Sequence, residues 1–238
     1  MIHTLVWLKR HLLDQLAVPE VSLLTGHIRP SDVLLDVGGH AGAWTVALSR
    51  LVPQGTVYVF EALPYYARVL RATLQALGKT NVVVVNGAVL HESKRVEMVW
   101  RDPEGARLTG LTHLKGADES AQGTISVDGL TLDGLLRSFG GRVRFMKLDI
   151  EGAELFALRG AEQLLSTFRP LLYIELNEAY CRRYGHTPKD VFDFLAAQDY
   201  RAFVCSADGV CRGVEAGTYS GAGDVWFLPV EEDLAFGV

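Results

Sequence analysis

From residue 33 to residue 228 the chain alternates short apolar runs of strand length with segments of helical period, and that rhythm restricts it to a mostly parallel sheet covered by helices. The runs at 33–37, 56–60, 81–85, 143–148, 171–176, 200–205 and 224–228 predict seven strands. Between them, 43–51, 64–77, 130–139 and 153–167 read as helices, and Thr187-Pro188 starts another by capping and by proline at the first helical position. Nothing helical separates the last two runs, so the final strand is expected to reverse and pair antiparallel. Between about residues 94 and 127 the rhythm lapses into two β-like pieces, 95–100 and 124–127, around a polar loop. A hairpin-like insertion able to cover a substrate is expected there.

At 238 residues, with 49% hydrophobic and 21% charged residues, the chain suits one large α/β domain with a well-buried core. The reading places an N-terminal helical segment at 1–30 and the domain at 31–238. The first fourteen residues carry apolar side chains at helical spacing, but Lys9, Arg10, His11 and Asp14 break any signal-peptide or membrane-spanning core. An amphipathic helix packed on the domain is expected, and an exposed apolar face on it would favour a homodimer. A net charge of -5 and a pI near 5.8 disfavour a grip on a phosphate backbone, so nucleic acid is not the expected partner. The three cysteines, Cys181, Cys205 and Cys211, form neither a disulfide framework nor a C-x-x-C metal knuckle, and a reducing cytoplasm is the simplest home.

The chemistry gathers where strands end. In Phe145-Met-Lys-Leu-Asp-Ile-Glu-Gly-Ala-Glu154, alternation puts Lys147 and Asp149 on one face, with Glu151 and Glu154 at the start of the next helix. A buried strand carrying both Lys147 and Asp149 loses stability unless they are paired or used. The first strand runs through Asp36 into a turn holding Gly38, Gly39, His40 and Gly42, where backbone can approach a ligand ahead of a helix N-terminus. Glu61, at the end of the second strand and 25 residues after Asp36, is placed to accept both hydroxyls of a ribose. Asn86 and Ala88, at the end of the third strand, lie where an adenine ring would rest.

The run Lys147-Leu-Asp-Ile-Glu-Gly-Ala-Glu154, continued by Leu155-Phe-Ala-Leu-Arg-Gly160, resembles the signature of the FkbM family of S-adenosylmethionine (SAM)-dependent methyltransferases, and with gaps the resemblance extends from about Val33 to Glu178. It implies a Rossmann-like class I methyltransferase fold with SAM as cofactor. The usual family activity is O-methylation, here of a small-molecule or glycan acceptor such as a sugar hydroxyl in a glycan, glycolipid or glycosylated natural product. It also implies that Asp36, with Gly38 and Gly42, holds the amino-acid part of SAM. The family usually has Ala-Asn where Gly39-His40 stands, and often Pro at Ala62. Asp149 is the first candidate for a general base or metal ligand and Glu151 the second, while Lys147 pairs with an acid or lowers an alcohol's pKa. Glu175 and Asn177, two apart on the fifth strand, complete with Asp149 an oxygen set of the kind Mg²⁺ accepts. His113, on the insertion, is a further candidate base.

Three rival readings stay in view. A nicotinamide-dependent oxidoreductase conflicts with the glycine spacing, since Val37 stands where the first glycine of G-x-G-x-x-G belongs, and no Tyr-x-x-x-Lys pair occurs. A nucleic-acid methyltransferase would carry a basic face and an Asn-Pro-Pro-Tyr-like motif where this strand ends in Leu148-Asp-Ile-Glu151. A non-catalytic SAM-binding protein is the third.

Overall fold

The computed structural model describes residues 2–12, 17–102, 104–106, 108, 111–116, 122–206 and 209–232. Leu13 and Asp14 of the expected N-terminal helix, the tip of the insertion at 117–121 and residues 233–238 lie outside them. Helix α1 (Ile2–Leu12) and a short 3₁₀ turn (Pro19–Leu24) precede β1 (Val33–Val37), α2 (Ala43–Leu51), β2 (Thr56–Glu61), α3 (Pro64–Ala76) and β3 (Val82–Asn86). A short β4 (Ala88–Val89) follows, and the insertion contributes β5 (Arg95–Val99), β6 (His113–Leu114) and most of β7 (Thr124–Leu130). Then come β8 (Val143–Leu148), α4 (Glu154–Arg159), α5 (Glu162–Phe168), β9 (Leu171–Asn177), α6 (Glu178–Arg182), α7 (Pro188–Ala196), β10 (Tyr200–Cys205), β11 (Cys211–Gly213) and β12 (Ala222–Pro229).

The main sheet has the spatial order β11-β10-β12-β9-β8-β1-β2-β3. Strands β3, β2, β1, β8 and β9 run parallel, and β12 runs antiparallel to both β9 and β10. The chain first builds outward from β1 to β3 and then returns to lay β8 on the other side of β1. That reversal opens a crevice at the carboxyl ends of β1 and β8, where open α/β sheets bind ligands. Strand alternation sends Leu35, Val37, Met146, Leu148, Leu172 and Ile174 into one core layer and Leu34, Phe145, Tyr173 and Trp226 into the other. Each fully buried large apolar side chain stabilises the fold by roughly 1.5–3 kcal/mol, so both faces of the sheet are pinned in register. The expected start of α7 is present: the backbone N–H and Oγ1 of Thr187 both donate to Asp190 Oδ2, at 2.7 and 2.8 Å.

Four expectations are corrected. The sheet has eight strands, because Cys211–Gly213 adds an edge strand by hairpin to β10; three residues without apolar alternation give no strand signal. Cys205 and Cys211 stand opposite one another in that hairpin and are disulfide-bonded across a sequence separation of 6, leaving Cys181 as a buried free thiol. The helix expected at 130–139 is a 3₁₀ turn, Asp133–Ser138, because Leu130 still pairs with Val89 in β7. The helix expected at 153–167 is broken into α4 and α5 at Gly160. A Cβ there would stand 1.9 Å from the carbonyl oxygen of Leu90, and the Gly160 carbonyl accepts from the amide of Asp133 at 2.9 Å. The insertion is a hairpin as expected, with β5 antiparallel to β7. Among the described residues no helix is long and apolar enough to cross a membrane.

Helix α1 packs on α3 through Trp7, which is 3% exposed, while Leu5 and Val6 face solvent. Gly160→Ala is expected to destabilise the protein by about 1–3 kcal/mol, because backbone rather than a flexible side chain must move. Gly217→Ala, where an added Cβ meets nothing within 4 Å, is expected to change it by less than about 0.5 kcal/mol. Urea unfolding of the two variants checks the contrast.

Candidate active site

The site is built around the buried ammonium of Lys147. Its Nζ donates to the carbonyl of Gly38 at 2.9 Å and lies 3.0 Å from Asp149 Oδ2 and 3.6 Å from Asp36 Oδ1. One side chain of β8 therefore ties together the last residues of β1, the turn after it and the turn after β8. Burial alone would push the ammonium's pKa down, but Asp149 and Asp36 outweigh it and hold the group above its usual range. Asp36 is completely buried, which pushes its carboxyl up despite Lys147 and the hydroxyl of Thr45, which donates to Oδ2 at 2.5 Å. Burial acts upward on Asp149 too, yet Lys147 overcomes it and the carboxyl sits low.

The turns at the strand ends are constrained just as tightly. Gly38 has φ +91°, and a Cβ on it would lie 2.0 Å from the carbonyl oxygen of Asp149, so the two turns touch through backbone. After β8 the chain bends through Glu151 at φ +59° and Gly152 at φ +99°. Glu154 locks this bend: its buried Oε1 accepts from the amides of Ile150 at 2.9 Å and Gly152 at 3.1 Å. Its burial raises the carboxyl to about 7. The spacing of the motif placed Glu154 at a helix start, where its charge would face the macrodipole; the bonds show that it reaches backward and shapes the turn.

Above these turns opens a cavity with an empty volume of about 850 Å³ including its mouth, within the range of small-molecule sites. Gly38, His40, Glu61, Ala88, Asp149 and Glu151 all line it. Tyr66, Met98, Thr112 and Leu114 complete the wall, so the insertion reaches the site. Those four were not legible beforehand, because tertiary packing decides which face of α3 and which part of the insertion meets the crevice. Glu61 is 8% exposed, and its two oxygens accept from the amides of Leu63 at 2.9 Å and His40 at 3.1 Å. Burial lifts its carboxyl to about 7, against the pull of those two amides.

Other expected residues stand elsewhere. Asp36 lies beneath the floor, engaged with Thr45 and Lys147, and is not in the cavity wall. Gly39 packs on Val59 and Leu70, and Gly42 on Leu70, so both support the loop from behind. Asn86 donates from Nδ2 to the carbonyls of Glu61 and Ala62 at 2.8 and 2.9 Å, bracing the acid without lining the cavity. Lys147 is consumed by its ion pairs. His113 is buried with Nδ1 3.0 Å from the carbonyl of Leu111, while its neighbours Thr112 and Leu114 face the cavity.

The expected metal set is also rearranged. Asn177 Oδ1 caps α6, accepting from the amides of Ala179 and Tyr180 at 3.0 and 3.4 Å. The carboxylates that converge are instead Asp149, Glu151 and Glu175, with one oxygen of each within 4.8 Å of the others. Burial and the nearby Asp149 charge raise Glu175 to about 8, and it shares a hydrogen bond with Asp149. A retained proton thus relieves the repulsion, and no feature of the cluster requires a cation. Burial, with Asp149 adding to it, raises Glu151 to about 7.

A parallel sheet reversing at β1 and closed by a last strand, β12, inserted antiparallel between β9 and β10 is the class I methyltransferase fold. The profile of the Methyltransferase FkbM domain matches residues 36–202, and the chain belongs to that family of SAM-dependent methyltransferases. Among solved structures, the FkbM methyltransferase of Methylobacillus flagellatus aligns with a TM-score of 0.54 at 20% identity, over 89% of this chain. The chain spans only 48% of that protein's length. A Streptococcus mutans protein described as a methyltransferase and solved with S-adenosylhomocysteine (SAH) aligns with a TM-score of 0.51 at 12% identity, covering 88% of this chain and 94% of that one. An rRNA methylase of Streptococcus thermophilus gives a TM-score of 0.50 at 12% identity, covering 89% and 95%. No curated protein sequence matches the chain significantly.

A carboxyl whose folded pKa is raised stabilises the protein fully below its unfolded pKa, and that contribution is lost as pH rises through the folded value. For Glu175 this loss falls between about 4.5 and about 8. Buried histidines, whose pKa values are lowered, act in the opposite sense below about 6.5, so the window from pH 7 to 9 leaves them out, and comparison with a variant lacking the carboxyl separates Glu175 from Glu61, Glu151 and Glu154, which are raised to about 7. Glu175→Gln keeps a donor toward Asp149 and removes the titration. Its melting temperature is expected to fall less than the wild type's across that window; parallel curves would contradict the assignment.

Proposed function

We propose that the protein is a SAM-dependent O-methyltransferase whose acceptor is a hydroxyl of a small molecule, with a sugar of a glycan, glycolipid or glycosylated natural product as the acceptor class. The observation that carries the cofactor reading is Glu61. Its buried carboxylate lines the cavity, and each oxygen, already accepting one backbone N–H, keeps a lone pair for a ribose hydroxyl. Ala88, Val89, Leu90 and Met98 offer the apolar wall an adenine needs, and Gly38, His40 and Asp149 stand at the opposite end. SAH bound to the Streptococcus mutans protein supports the same reading for this fold. When bound, SAM supplies a methyl group on a positively charged sulfur, which becomes a neutral thioether as the acceptor oxygen takes the carbon.

The chain's own residues have three tasks. Glu61 and the loop hold the nucleoside so that the transfer is in line. Asp149, kept ionised by Lys147, places negative charge beside the sulfonium. Glu151 takes the proton from the acceptor hydroxyl. This transfers the base assignment from Asp149, whose carboxyl is held low and is a weak base, to Glu151, whose value near 7 matches its task at neutral pH. The O-methyl reading and the sugar acceptor rest on the resemblance of the run at 147–160. The surplus of carboxylates at the site and the net charge of -5 disfavour a nucleic-acid acceptor.

Thermal-shift titration with SAM, SAH and NAD is the direct test of the cofactor. SAH at about 100 times its Kd is expected to stabilise by about 2.7 kcal/mol and NAD not at all; stabilisation by NAD alone would favour the oxidoreductase. Glu61→Ala is expected to weaken SAH binding by about 100-fold or more, as two hydrogen bonds to a charged group, each worth about 1.5–3 kcal/mol, are lost. Once a labelled-methyl screen of sugars supplies an acceptor, Glu151→Gln is expected to lower kcat by about 10²–10⁴ with SAH affinity unchanged. An unchanged kcat would remove Glu151 from the mechanism.

A further inference from the structure

Helix α1 is attached to the domain along one stripe. Residues 3, 7 and 11, one turn apart, face inward: His3 Nδ1 is hydrogen-bonded to the hydroxyl of Tyr65 at 2.6 Å, Trp7 stacks on Tyr66 with ring centroids 5.8 Å apart, and His11 Nε2 donates to the carbonyl of Ala41 at 2.8 Å. That attachment fixes the outward face, which carries Leu5, Val6, Lys9 and Arg10, the second pair one turn after the first. A packed helix normally shows solvent a polar face. Here Leu5 is 64% exposed, the most of any large apolar side chain among the described residues, and Val6 is 45% exposed.

The charge around these residues has one sign. Helix α1 contains no acid. Arg50, exposed near the end of α2, and Lys79, just after α3, lie close enough to His11 for their charges, with that of Arg10, to add to the burial that pushes its imidazole down. Arg50 acts on Lys79 in the same direction. Lys9, Arg10, Arg50 and Lys79 enter no salt bridge among the described residues. A chain of net charge -5 therefore keeps four such cations on and beside one helix.

We propose that the outward face of α1 docks on a bilayer surface bearing anionic lipids, with Lys9 and Arg10 against the headgroup phosphates, Leu5 and Val6 entering the acyl boundary, and Arg50 and Lys79 adding to the attraction. An anionic bilayer answers both features, since basic residues gain from its surface potential and exposed apolar side chains from its interface. A second copy of the chain would set the four cations against four more, and a nucleic acid would leave Leu5 and Val6 in water. At 11 residues α1 is too short to span a bilayer and lies along its surface. Trp7 also meets His40, and His40 and Tyr66 line the cavity, so the bilayer would lie about one helix diameter, roughly 10 Å, from the cavity wall. Docking there brings lipid-borne acceptors near the site; it rests on α1 and stands apart from the methyl-transfer reading.

Co-sedimentation of the full chain with vesicles tests the inference. At about 0.1 M salt, binding to vesicles of phosphatidylglycerol and phosphatidylcholine is expected to be about tenfold or more tighter than to phosphatidylcholine alone. Lys9→Gln with Arg10→Gln is expected to weaken anionic-vesicle binding about 25-fold, at about fivefold for each cation. Leu5→Gln with Val6→Gln is expected to weaken it about tenfold, and Lys189→Gln on α7 to leave it within about twofold. All four α1 side chains face solvent, so these substitutions leave the fold intact. Equal binding to both vesicle types, or none to the anionic ones, would overturn the inference. Wild-type affinity of the Leu5→Gln, Val6→Gln protein would do the same, by reducing the contact to adsorption of charge. So would a wild-type dimer that those two substitutions dissociate, which would give the face to a second copy, or an RNA oligomer bound more tightly than the anionic vesicles.

Discussion

The buried ammonium of Lys147 is the constraint on which the crevice depends. It sits between Asp36 and Asp149 and donates to the carbonyl of Gly38, so one charge joins the first strand, its glycine turn and the turn after β8. A buried ion pair is weak support for stability in itself, but removing one partner strands the other and costs about 3–5 kcal/mol. Here two carboxylates would be stranded. The value of the arrangement lies in geometry: it forces the two turns into backbone contact at Gly38 and Asp149, which no side chain on residue 38 would permit. The cavity floor is thereby held by backbone contact and by one buried ammonium.

The same arrangement leaves the rim electrostatically unbalanced. Lys147 serves Asp36 and Asp149, while Glu61, Glu151 and Glu175 line or border the site without a salt bridge among the described residues, and all three carboxyls are raised. Such a site gains from a ligand that brings positive charge and hydrogen-bond donors. In the function proposed above a sulfonium nucleoside brings both, with ribose hydroxyls for Glu61 and charge toward Asp149, and the burial and neighbouring charge that raise Glu151 belong to the same field.

Much of this was legible in the chain. Strands β1 and β8 were read with their observed ends because each is a short apolar run closed by a polar turn. Glu61, Asp149 and Glu151 were expected near one another because sequence spacing fixes them at strand ends, and all three line one cavity. The reading failed where tertiary contact decides. Asp36 was read as a ligand group, yet burial beneath the turn gives it to Thr45 and Lys147. Asn177 was read as a metal ligand, yet its side chain caps a five-residue helix too short to announce itself. The break at Gly160 depends on the distant backbone of Leu90. The role of Trp7 depends on a helix folding back on α3, which periodicity within α1 does not specify.

The most direct measurement of the central claim is a crystal structure with SAH. The account predicts the nucleoside in the cavity between β1, β2 and the insertion, with both ribose hydroxyls within hydrogen-bond distance of the Glu61 carboxylate and the sulfur facing Asp149 and Glu151. SAH bound elsewhere, or a ribose that makes no contact with Glu61, would contradict it.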